Sequence, residues 1–323
     1  MKILVIFTGG TIGSSVKDGW ADVDHATRYA LLKNFQNNPD IEFVTRAPFS
    51  VLSENLSARE LNLLQNEIEI GLEGDFDGII VTHGTDTLQY TAAATEFAFA
   101  DTEIPIIFVS ADYPLENPKT NGYDNFKAAV EWICGGQSSG VFVSYRNKNE
   151  KKTDIHIASR LLQHSEFDSD LYSLGGVPFA VYDEKIQLSG SELLSANPIG
   201  KVEYAQNPDI LSIESCPGNR YNYPLDGVNA VLLKPYHSGT LDTANTAFCD
   251  FCRRVKEKKI PLFIANTATD VSYKSTELYE ELGIIPLPYG TCISAYVKIW
   301  AAVSLGKNVP EFMKIRIANE YEE

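Results

Sequence analysis

The sequence predicts an α/β protein with a larger N-terminal parallel-sheet domain and a smaller C-terminal α/β domain. Three observations carry this. Short apolar runs recur at Lys2–Phe7, Gly78–Val81, Pro105–Val109 and Gly140–Tyr145; runs apolar on both faces belong to strands buried from both sides. Stretches with helical apolar spacing separate them, which is the alternation of parallel βαβ units. At 323 residues the chain has room for two domains.

The elements follow in order. Lys2–Phe7 reads as a strand ending in the turn Thr8-Gly9-Gly10-Thr11-Ile12-Gly13. Ser14 to Asp24 is small and polar and reads as a mobile loop over the crevice beyond the strand ends. Ala26 to Phe35 is expected as a helix and Ile41 to Val44 as a strand. Ser57-Ala58-Arg59-Glu60 is a capping box, and Leu61, Leu64 and Ile68 continue it at helical spacing. Gly78–Val81 is a strand, Leu88 to Phe99 a helix, and Pro105–Val109 a strand. Asn125 to Ile133 is a helix and Gly140–Tyr145 a strand. Asp154 to Arg160 alternates and returns as a hairpin strand. Ser, Gly, Pro and Asn cluster from Tyr182 to Glu203, which places the domains at 1–185 and 207–323 with a linker at 186–206. In the second domain Ile210–Ile213, Val228–Leu233 and Pro261–Ala265 read as strands. Asp242–Lys258 and Ser294–Ser304 read as helices, the latter ended by Gly306.

Composition narrows the function. The formal net charge is -16, and no basic, aromatic-interleaved stretch occurs, so a nucleic-acid partner is not expected. No run of about 18 apolar residues is present, so no membrane span is expected. Met1-Lys2 leads directly into a strand without a signal peptide, and the five cysteines are scattered, as reduced thiols in a cytoplasm are. Cys249 and Cys252 form a CxxC inside a predicted helix rather than at its start, and no second pair completes a zinc site. The sequence lacks a P-loop motif.

Two turns hold the chemistry. Val81-Thr82-His83-Gly84-Thr85-Asp86-Thr87 crowds hydroxyls, a carboxylate and a glycine between a buried strand and a helix. Asp86 or Thr87 capping the helix is one reading. A reaction centre is the other, because in an open parallel sheet ligands bind beyond the carboxyl ends of the strands. The second polar turn of the same kind, Thr8–Gly13, favours the reaction centre.

These two motifs, Thr8–Gly13 and His83–Thr87, in this order and at this spacing, resemble those of the L-asparaginase family along the whole chain, with Gly13 as in its cytoplasmic type I branch. The resemblance implies hydrolysis of an amino-acid side-chain amide without metal or cofactor, by a homodimer or homotetramer. It implies Thr11 as nucleophile, Thr85 in proton relay, and Asp86 as the anion for the substrate α-ammonium, with Gly10 and Gly84 permitting close approach. Ser53 matches the α-carboxylate ligand, and Glu54 stands where an α-ammonium contact is placed. His83 is given a structural role. Two positions depart from the family. Trp20 stands where the lid carries a tyrosine, and Arg160, with Lys151 and Lys152 as alternatives, stands where a catalytic lysine is expected; an arginine stays protonated and orients rather than accepts a proton. Pro235–Thr240 and Asn266–Thr269 read as ordinary strand-to-helix loops, with an effector pocket as the other reading. A catalytically weak amino-acid sensor and a glutamine-preferring amidase are the competing functions.

Overall fold

The computed structural model describes residues 1–17, 20–23, 29–33, 35, 38–189, 193, 197–265 and 273–321. The chain divides into two units, Met1–Lys201 with Ile317–Asn319, and Val202–Arg316 with Glu320–Glu323.

The first unit is built on an eight-stranded sheet. Its strands are β1 (Lys2–Phe7), β4 (Glu42–Arg46), β5 (Gly78–Thr82), β6 (Pro105–Val109), β7 (Gly140–Tyr145), β8 (Thr153–Ile157), β9 (Ala180–Asp183) and β10 (Lys185–Leu188), in the order β10-β9-β8-β7-β6-β5-β1-β4. The five strands from β4 to β7 are parallel, and the last three add antiparallel. β5, β6 and β7 are buried at every position. One face packs α3 (Leu88–Phe99) and α2 (Ala58–Leu72) through Leu88, Ala92, Leu64 and Ile68. The other packs α4 (Gly122–Cys134) through Phe126, Val130 and Ile133. The order of strands reverses between β1 and β5, so the crevice of this sheet lies at their carboxyl ends.

The capping box is formed: the Ser57 N–H donates to Glu60 Oε2 at 3.1 Å, starting α2. Three expectations change. Ser14–Lys17 (β2) pairs antiparallel with Trp20–Val23 (β3), so the stretch expected as a loop is largely a hairpin. Asp18-Gly19 between them is a dipeptide that two-residue hairpins favour, and these two residues and Asp24 lie outside the described residues. The strand expected to Arg160 ends at Ile157 and closes in a 3₁₀ turn, Ala158–Arg160. Ile186 to Leu188, inside the expected linker, pair with β9. The helix expected at Ala26–Phe35 is described only at α1 (Ala30–Lys33), with residues 26–28 and 34 outside the described ones.

The second unit carries a four-stranded parallel sheet, β11 (Ile210–Glu214), β12 (Ala230–Lys234), β13 (Leu262–Ile264) and β14 (Ile284–Pro286). α5 (Thr246–Glu257) covers it with Phe248, Phe251, Cys252 and Val255, and α6 (Tyr279–Leu282), α7 (Cys292–Ser304) and α8 (Val309–Met313) complete it. The loop expected at Asn266–Thr269 lies outside the described residues. Gly306, at φ 62°, follows the end of α7 in the left-handed region and donates to Val303. Within α5 Cys252 is buried and burial raises its thiol to about 12, which leaves it inert at neutral pH. Cys249 is only half-buried and donates to the Thr243 carbonyl at 3.4 Å. No described helix is long and apolar enough to cross a membrane.

Candidate active site

Three segments far apart in sequence meet at the carboxyl ends of β1 and β5. The Thr8 hydroxyl donates to the Thr82 carbonyl at 2.6 Å, fastening one strand end to the other. The Gly10 N–H donates to the Val51 carbonyl at 2.9 Å, and the Val51 N–H to the Thr8 carbonyl at 3.1 Å. The segment entering Ser53 is thereby laid along the first turn.

Two glycines make the closest approach. Gly10 sits at φ 74°, a left-handed conformation that glycine adopts without strain. A Cβ on Gly10 would overlap the Cα and N of Gly84, and a Cβ on Gly84 would overlap the Ser53 side chain. The two backbones therefore touch, and Thr11 and Thr85 are the residues that leave the point of contact. Thr11 opens a 3₁₀ turn, Thr11–Gly13, whose end is held by the Ser14 hydroxyl donating to the Gly10 carbonyl at 2.7 Å. Thr11 and Thr85 are both half-buried.

Ser53 is the knot of the arrangement. Its hydroxyl donates to Asp86 Oδ2 at 3.0 Å and accepts from the Asp86 N–H at 3.2 Å. Its carbonyl accepts from the Thr87 hydroxyl at 3.0 Å. The capping reading of this turn therefore fails: Thr87 is the residue before α3 but makes no side-chain cap, because its hydroxyl is committed to Ser53. Asp86 is exposed while Ser53 is buried, so the carboxylate is held from behind and its other face is open. Glu54 follows Ser53 in the short turn Ser53–Asn55 and is exposed.

His83 is structural. It is buried, its Nδ1 is 2.8 Å from the Gly84 carbonyl, and burial holds it down at about 4, so the imidazole is neutral.

The sequence-predicted residues Gly10, Thr11, Ser53, Glu54, Gly84, Thr85 and Asp86 are thus on three adjoining turns. Trp20 opens β3, opposite Lys17 in the hairpin that leaves the first turn. Arg160 is not brought there. β8 runs antiparallel with Ile157 opposite Phe142, so the following turn falls toward the amino-terminal ends of the parallel strands. There the Ser159 N–H donates to Glu96 Oε2, two turns down α3, at 2.6 Å, and the Arg160 Nε donates to the Asn319 carbonyl at 2.8 Å. The alternative Lys152 pairs with Asp183 at 3.6 Å on the surface. Among the described residues no cluster of three His, Cys, Asp or Glu is arranged to hold a metal.

The family model for the asparaginase N-terminal domain matches residues 2–175, more than half of the chain. The chain belongs to the asparaginase family. Among curated asparaginase-family relatives, it is 26% identical over 82% of its length to a glutamyl-tRNA(Gln) amidotransferase subunit of Methanosarcina mazei. It is 28% identical over 56% of its length to the corresponding protein of Methanosarcina acetivorans. The matches span 64% and 43% of those two relatives. It is 23% identical to an L-asparaginase of Thermococcus kodakarensis over 99% of this chain and 98% of that one. The solved L-asparaginase I of Vibrio cholerae shares the fold with a TM-score of 0.82 at 22% identity, covering 100% of this chain and 99% of that one.

Proposed function

We propose that this chain hydrolyses the side-chain amide of L-asparagine to L-aspartate and ammonia, with Thr11 as the nucleophile. The observation that supports this most is the Ser53–Asp86 pair. It is a carboxylate fixed by a buried hydroxyl beside two touching glycines, open on the side of Thr11 and Thr85.

An amide is a poor electrophile, so the reaction needs an activated hydroxyl and a held oxyanion. In this reading Asp86 takes the substrate α-ammonium by a charge-assisted hydrogen bond, assisted by Glu54, and Ser53 with its turn takes the α-carboxylate. Thr11 Oγ attacks the amide carbon as its proton leaves. Turn N–H groups stabilise the negative charge on the former carbonyl oxygen. The C–N bond then breaks, the nitrogen takes a proton and departs as ammonia, and water hydrolyses the acyl-threonine. Thr85 passes protons between these steps, and Trp20 lies on the hairpin that covers the site. No cofactor enters. The working form in this reading is a cytoplasmic homodimer or homotetramer, and the substrate is a free amino-acid amide.

A second reading rests on the M. mazei relative, which is named as part of an amidotransferase: the chain then hydrolyses glutamine and supplies the ammonia to a partner. The net charge of -16 speaks against direct contact with the phosphates of a tRNA. Ammonia released from L-asparagine and from L-glutamine by the purified protein tests both. Faster turnover of asparagine is expected; ammonia from glutamine alone would favour the second reading; saturable binding of both without ammonia would favour the amino-acid sensor.

A further inference from the structure

A pair of imidazoles that the reading above does not use lies beside the same strand ends. β5, β6 and β7 end in register, Thr82 opposite Val109 and Val109 opposite Ser144. Tyr145, the next residue, stands at the crevice edge two strand spacings from β5, about 10 Å. The His164 ring packs against the Tyr145 ring, their centroids 6.0 Å apart. His164 Nδ1 is 2.9 Å from the Asp170 carbonyl. A carbonyl only accepts, so Nδ1 carries a hydrogen and the neutral ring presents a bare lone pair at Nε2. That Nε2 is buried and has no hydrogen-bond partner among the described residues. His156, on β8 opposite Val143, repeats the arrangement with Nδ1 2.8 Å from the Ser173 hydroxyl and a buried, unpartnered Nε2.

The charges around His164 come from each neighbouring element. Burial holds it below the ordinary histidine range. The Asp170 carbonyl pulls the other way, and after it the charges of Asp86, Asp168 and Asp170. His156 is buried more deeply and pushed down to about 3, first by burial and then by His164, so it stays neutral. Tyr145 is raised by burial and stays protonated. Of these groups His164 is the imidazole that feels Asp86.

We propose that His164 is a positioning and proton-holding residue of this site, acting on it through Asp86. The proposal rests on the amide-hydrolysis reading. When the attacking hydroxyl forms its bond to the amide carbon, its O–H bond breaks and the proton passes on the Asp86 side to His164 Nε2, forming an N–H bond. The imidazolium is held by the Asp86 charge in front and the Asp170 carbonyl behind. As the C–N bond breaks the proton returns to the departing nitrogen, which leaves as ammonia, and His164 is neutral again. An orienting carbonyl at one ring nitrogen and a free lone pair at the other is the arrangement a general base requires.

The test uses the full-length protein with His164→Asn, which keeps a donor for Asp170 and removes Nε2, and His164→Gln, which keeps a polar atom near Nε2. On whichever amide the wild type hydrolyses, His164→Asn is expected to lower kcat about a hundredfold with KM within about threefold. It is also expected to remove the acid limb of the kcat/KM pH profile; His164→Gln recovers part of kcat. Nitrogen NMR of the wild type is expected to show His164 as the Nδ1–H tautomer, with a titration midpoint that falls in Asp86→Asn. Wild-type kcat and pH profile in His164→Asn would overturn the proposal, as would a His164 midpoint indifferent to Asp86→Asn. If His164→Asn does not fold, His164→Gln and the NMR titration decide. A wild type that hydrolyses neither amide removes the reading and the proton-holding role with it, and the NMR then reports the Asp86 link by itself.

Discussion

Both units place a polar, glycine-containing turn after a buried strand of a parallel sheet, yet only the turn of the first unit is tied to distant segments. After β12, Pro235–Thr240 closes on itself. The Tyr236 N–H donates to the Thr240 carbonyl at 3.0 Å, the Gly239 N–H to the Tyr236 carbonyl at 2.8 Å, and the Ser238 and Thr240 hydroxyls are 3.0 Å apart. Its one outside tie described is the Tyr279 hydroxyl on the Gly239 carbonyl at 3.2 Å. After β5, by contrast, Asp86 and Thr87 are bound to Ser53, 33 and 34 residues away, and Gly84 abuts Gly10. A turn that satisfies its own groups is a loop. A turn whose side chains are held by another chain segment, leaving one carboxylate face open, is pre-organised for a ligand.

Substitutions that break the two turns should separate them. The largest effect is expected from Gly10→Ala, which combines left-handed strain with overlap on Gly84 and so destabilises the first unit by about 3 kcal/mol. Thermal or denaturant unfolding reads this, and turnover is expected to fall with it. Asp86→Ala comes next. It removes a charged hydrogen bond, so affinity for L-asparagine by calorimetry is expected to drop about thirtyfold, roughly 2 kcal/mol, while the fold remains. Tyr279→Phe is smallest: it removes one neutral hydrogen bond from the self-closed turn, for about 1 kcal/mol of stability and unchanged kcat and KM. An equal loss of turnover in Tyr279→Phe and Asp86→Ala would erase the distinction between the turns.

How much of this was legible follows from range. Period and composition are local, so β5, β6 and β7, the Ser57–Glu60 box and the Gly306 stop were readable from their own residues. The paired turns were readable because each motif is short and contiguous. The role of Thr87 was not, because its partner at Ser53 lies beyond any local window and competes with the cap. Arg160 was misplaced because the β7–β8 connection, residues 146–152, sets how far the returning strand travels, and register cannot be read from spacing alone. The β2–β3 hairpin did have a local signal in Asp18-Gly19, outweighed by the small polar residues around it. His164 carries no motif; only the fold brings it beside Tyr145.

The central claim is that Thr11, leaving the contact between Gly10 and Gly84, attacks an amide. Its most direct test is ammonia release from L-asparagine by wild type and Thr11→Ala, with binding measured on both. Thr11→Ala removes a hydroxyl and little contact area. The expected result is turnover in the wild type and a loss of at least about a thousandfold in Thr11→Ala, with affinity for asparagine nearly unchanged. Ammonia release at the wild-type rate by Thr11→Ala, or none by either protein from asparagine or glutamine, would contradict the account.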